Sequence, residues 1–176
     1  MNYTQKSVNF VENKTIKDMK QSNNIDFQGE HTFKTISELN GLLSDIQVYY
    51  QNLRGFHWNI KGPQFFELHT KFEELYDGAA MKIDEVAERI LTLGGTPLHA
   101  FEDYLSNSTV KAEKDVSDAQ PIMESIFSMH LLLLQKMREV IKVAGDNDDE
   151  GTQDLIAPMI SEIEKTNWMF GAYLKK

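Results

Sequence analysis

TISELNGLLSDIQVYYQNLRGFHWNIKGP, residues 35–63, decides the fold. Ile36, Leu39, Leu43, Ile46, Tyr50 and Leu53 recur at steps of three and four, the period of an amphipathic helix. The next position in that series is 57, so His57 falls on the buried stripe. Gly62-Pro63 ends the run, because proline has no N–H to donate and its ring clashes with the preceding turn. A first helix is therefore expected from about Thr35 to Ile60.

The same period continues on both sides of a long connector. Phe65, Leu68, Phe72, Leu75, Ala79, Ile83, Val86, Ile90 and Leu93 predict a second helix over about Gln64–Leu93, stopped by Gly94-Gly95 and Pro97. Residues 96–115 then form a connector that is long for a helical bundle, with a short helix expected around His99–Leu105. A third helix is expected from about Val116 to Ala144; its MHLLLL run, residues 129–134, is apolar nearly all round and predicts deep burial. A fourth is expected from about Thr152 to Leu174. No strand-like alternation is sustained over six residues. The fold class is all-α: a ferritin-like four-helix bundle with a long crossover connection containing a short helix.

Residues 1–30 read as a flexible polar arm ahead of a domain over 31–176. The chain has no cysteine, which excludes disulfides and thiolate chemistry and fits a reducing cytoplasm, the expected location. The start carries no basic-then-apolar signal pattern, and no window is long and apolar enough to span a membrane. A formal charge of −9 weighs against non-specific nucleic-acid binding and suits a protein that attracts cations.

Without thiolates, any transition metal must be held by imidazole and carboxylate, which suits iron, manganese or zinc. The Glu-x-x-His pairs of an intrachain di-iron bundle are absent, since Gln28, Arg54, Phe66, Thr96 and Phe127 stand three before the five histidines. The second helix instead carries two pairs four apart, His69 with Glu73 and Asp84 with Glu88, each on one helical face. Glu73 and Asp84 are separated by roughly 16 Å of helix rise. Metal–ligand bonds of about 2 Å cannot span that. One chain therefore cannot bring the two pairs to one ion. A twofold axis can, if the second helix packs antiparallel on its copy and His57 and His69 of one chain face Asp84 and Glu88 of the next. The ordinary alternatives stand beside this: a packed core histidine, and a solvated acidic helix face.

YYQNLRGFHWNIKGPQFFELHTKFEELYD followed by IDEVAERILTLGGTPL, with TNWMFGAYL near the C-terminus, resembles the Dps family, the DNA-binding proteins from starved cells. The resemblance runs from about residue 35 to the end. It implies a hollow homododecamer in which Fe(II) is oxidised, preferably by hydrogen peroxide, and stored as ferric mineral. It also implies ferroxidase sites between subunits, each taking two iron ions (Fe2+/Fe3+), with His57, His69, Asp84 and Glu88 as metal ligands. Glu73 stands where the family commonly has Asp, and its longer side chain binds directly or through water. Trp58, beside His57, is either a trap for a stray oxidising equivalent or simple packing.

The run GDNDDEGTQD, residues 145–154, is a second acidic feature. It begins like a calcium loop, but Ala157 stands where that loop needs a glutamate. Acids at a helix start favour the helix dipole in any protein. In the resembling family such acids line threefold pores that draw iron inward; Glu150 and Asp154 match those positions, with Asp149 a weaker candidate. DNA-compacting members commonly use a lysine-rich tail. Here residues 1–20 carry four lysines against two acids, and twelve copies at −9 would carry −108. DNA binding is expected to be weak or absent, with physical protection of the chromosome as the alternative function.

Overall fold

The computed structural model describes residues 29–175. Five helices occupy them: α1 Glu30–Asn59, α2 Phe65–Thr92, α3 Phe101–Asn107, α4 Ala119–Gly145 and α5 Glu150–Leu174. No β-strand occurs among the described residues; one isolated parallel bridge joins Lys61 to Asp118. Short connections make α1/α2 and α4/α5 hairpins, and residues 93–118 cross from one hairpin to the other. α1 packs against α2, α3 and α4, and α4 packs against α5. No described helix is long and apolar enough to cross a membrane. Most of the polar arm lies outside the described residues.

The apolar stripes form the core as their spacing requires. Ile36, Leu39, Leu43, Ile46 and Leu53 of α1 are buried with Phe72, Val86 and Ile90 of α2, Ile126, Leu133 and Met137 of α4, and Ile156 and Phe170 of α5. Two boundaries differ from expectation. α1 begins at Glu30 rather than near Thr35, because Thr32 and Thr35 are buried although polar and the stripe does not register them. α4 begins at Ala119 rather than Val116, behind Asp118 as its N-cap.

The MHLLLL run is buried on one side only. Met129, His130, Leu133 and Leu134 face the core, whereas Leu131 and Leu132 stand at the surface, 53% and 37% exposed. With 3.6 residues per turn, neighbours 131 and 132 point away from the face shared by 130, 133 and 134.

α2 stops because Gly94 takes φ +82°, a left-handed conformation, and the Gly95 N–H reaches the Ile90 carbonyl at 2.9 Å. Gly95 is needed for a second reason: a Cβ there would lie 2.8 Å from the Ile36 side chain. The crossover is fastened to α1 by polar side chains. Buried Asp45 accepts from Ser108 Oγ at 2.9 Å and from the Thr109 and Val110 N–H groups at 2.6 and 3.3 Å. Asn52 donates to the Lys111 carbonyl and accepts from the Glu113 N–H, at 2.8 and 2.9 Å. These contacts hold α3 and the connector over the outside of α1.

Candidate metal centre

His57 lies in the last turn of α1 and His69 near the start of α2, and the tight α1–α2 turn brings them together. His57 Nδ1 donates to the His69 carbonyl and His69 Nδ1 donates to the His57 carbonyl, each at 2.8 Å. The rings stack with centroids 3.7 Å apart, inclined 21°. A carbonyl oxygen only accepts, so each Nδ1 must carry its proton. In the neutral ring the lone pair then sits on Nε2, the state a metal ligand needs. This reciprocal lock uses backbone that both helices already present, and it costs neither imidazole its ligating atom.

Phe65 stacks on His69 at 5.0 Å and Tyr76 meets His57 edge-on at 5.4 Å. His57 is buried and His69 half-buried. Glu73 is exposed and accepts a 3.3 Å hydrogen bond from Tyr76 Oη, which ties it to the histidine pair through the tyrosine. Burial first, and then the Glu73 carboxylate, raise the Tyr76 phenol above its ordinary range.

Asp84 and Glu88 lie further along α2, exposed, with no side-chain partner among the described residues. They are not brought to the histidines. No group of three or more His, Cys, Asp or Glu that could hold an ion exists among the described residues. Trp58 is 57% exposed, with the Arg54 guanidinium 4.8 Å over its ring; Arg54 also covers Tyr50 at 5.5 Å.

Of the three acids considered for a pore, Glu150 and Asp154 are exposed at the start of α5. Asp149 is placed differently. It is fully buried, caps α5 by accepting from the Thr152 N–H at 2.9 Å, and pairs with Arg89. Arg89 also donates to Thr152 Oγ1 at 2.9 Å. The α5 N-terminus is thereby fastened to the last turn of α2. Asp149, the weaker of the three pore candidates, is the N-cap of α5 in this fold. Its signal was readable: an Asp three residues before Thr152 at a helix start.

The fold and the histidine pair define a class. A sequence model of the ferritin-like domain matches residues 36–176. The chain is 47% identical over 141 residues to the DNA protection during starvation protein of Porphyromonas gingivalis, covering 80% of this chain and 89% of that protein. It is 39% identical to DNA protection during starvation protein 2 of Bacillus anthracis over 81% of this chain and 98% of that one. The crystal structure of a Dps protein from Vibrio cholerae O1, described as a member of the ferritin-like diiron-carboxylate superfamily, superposes with a TM-score of 0.85. That match has 43% identity over 87% of this chain and 96% of the other. This chain therefore has the ferritin-like fold and belongs to that family. Within it, the chain is a member of the Dps group.

Proposed function

We propose that this protein oxidises Fe(II), preferably with hydrogen peroxide, at sites shared between subunits of a homododecamer, and stores the ferric product inside. The observation that carries this reading is the reciprocal histidine lock, which holds two Nε2 lone pairs ready in a site otherwise short of ligands. His57 and His69 bind from one subunit. Asp84 and Glu88 bind from its twofold mate, and Glu73 completes the shell directly or through water. Two irons per site deliver two electrons to one peroxide, which takes up two protons and leaves as water. Carboxylate oxygen favours the ferric state and imidazole accepts both states. Glu150 and Asp154 ring the pores and concentrate Fe(II) by charge. Trp58, stacked under Arg54, catches oxidising equivalents that escape the site. The reading is supported by the Dps group's kinship with diiron-carboxylate proteins.

The test follows ferric absorbance after Fe(II) and peroxide are added to wild type and to His57→Ala/His69→Ala. The double variant is expected to lose the fast initial phase while keeping its assembled size. Equal initial rates would refute the site.

A further inference from the structure

The bundle core holds a titratable pair that the iron reading does not use. Tyr49 on α1 and His130 on α4 are 6% and 1% exposed. Tyr49 Oη lies 2.6 Å from His130 Nε2. On the other side of the ring, His130 Nδ1 lies 2.7 Å from Asn167 Oδ1 of α5. An amide oxygen only accepts, so Nδ1 carries the proton and Nε2 accepts from the phenol. Phe170 stacks on the imidazole at 5.8 Å. Beside the pair is a cavity of about 20 Å³ lined in part by Lys82, Glu162 and Thr166, room for about one water. Burial keeps the imidazole neutral, lowering its pKa to about 4, and raises the phenol.

A phenol already hydrogen-bonded to a neutral imidazole can lose an electron and a proton together, because the base waits at hydrogen-bond distance. A connection to the histidine pair is also present. Tyr76 touches His57 at 5.4 Å and Tyr50 at 6.1 Å, and Tyr50 is the chain neighbour of Tyr49.

We propose that Tyr49 and His130 form a buried redox site, which takes up an oxidising equivalent and holds it as a neutral tyrosyl radical. The co-reactant is a one-electron oxidant of the hydroxyl-radical class. Tyr49 gives it one electron. The phenolic O–H bond breaks, and the proton forms a new N–H bond at His130 Nε2. The products are a tyrosyl radical, an imidazolium and the reduced oxidant. An Fe(II) ion can reverse the step: it supplies one electron, becomes Fe(III), and the proton returns to the phenol. The physiological source of the oxidant rests on the iron-and-peroxide reading; the chemistry of the pair does not.

The test uses the full-length, metal-free protein with photo-oxidised ruthenium tris-bipyridine as oxidant, so its outcome is independent of any iron site. Optical absorption and electron paramagnetic resonance read the radical. Wild type is expected to give a long-lived tyrosyl signal whose formation slows in D2O, because proton and electron move together. Tyr49→Phe, with helical content confirmed by circular dichroism, is expected to lose the long-lived component. His130→Gln is expected to shorten the lifetime and abolish the deuterium effect. A full long-lived signal in Tyr49→Phe would overturn the proposal. Should that variant fail to fold, an unchanged lifetime and deuterium effect in His130→Gln would overturn it equally.

Discussion

His57 and His130 show how differently two histidines on apolar stripes can be used. His57 spends its Nδ1 on a backbone carbonyl and keeps Nε2 unengaged at the edge of the bundle. His130 has both nitrogens engaged, by Tyr49 and Asn167, in the interior. The second arrangement has a pH signature. Burial lowers the His130 pKa from 6.5 to about 4, so the unfolded chain binds the proton more readily. Stability from this group is fully present above pH 6.5 and is lost as the pH falls toward 4. At 1.36 kcal/mol per pKa unit, the loss is about 3 kcal/mol. Urea unfolding at a series of pH values is expected to show this slope in wild type, and a flatter one in His130→Gln. The stripe position of His57 was legible from spacing, and His130 was legible only as part of a run expected to be deeply buried. The split between a free and a satisfied imidazole was not, because it depends on partners 81 and 37 residues away in the chain.

At the scale of elements, hydrophobic period located four long helices and the crossover, and chain-stop residues located their ends to within a few positions. It failed where polar side chains do core work. Thr32 and Thr35 extend α1 backwards, and Asp149 is a buried cap rather than a solvated acid. It also could not show how the crossover is held. Asp45 receives two backbone N–H groups and the Ser108 hydroxyl within the fold. Asp45→Ala leaves those donors without their acceptor, at a cost of about 1–3 kcal/mol each if they stay buried. Hydrogen exchange at Thr109 and Val110 is expected to rise sharply in that variant, with α1, α2, α4 and α5 little changed. Unaltered exchange there would mean that the carboxylate does not hold the connector.

For the whole molecule, the separation of the proposed ligands along α2 would make the proposed activity a property of assembly. Light scattering is expected to give about twelve times the 20.2 kDa chain mass. Co-assembly of two inactive variants gives a sharper check. His57→Ala/His69→Ala supplies intact acids and Asp84→Ala/Glu88→Ala supplies intact histidines. In a mixed pair across the twofold axis, one of the two shared sites is then complete. Random mixing should recover about a quarter of the wild-type rate. A site built inside one chain would stay dead in the mixture. Charge sets the remaining expectation: at −9 per chain, a gel shift at about 150 mM salt should show no compaction of plasmid DNA. Tight binding there would favour physical protection of the chromosome.

The sequence by itself determined the all-α bundle, its crossover, the positions of His57, His69, Asp84 and Glu88, and the impossibility of joining them on one ion within a chain. Those follow from period and rise, which are local and need no partner. Tertiary structure alone decided what each polar group touches. It paired the two histidines through each other's carbonyls, buried Asp149 against Arg89, and set Tyr49 against His130. These contacts join residues distant in sequence, and a side chain's chemistry is set by the neighbours that folding gives it.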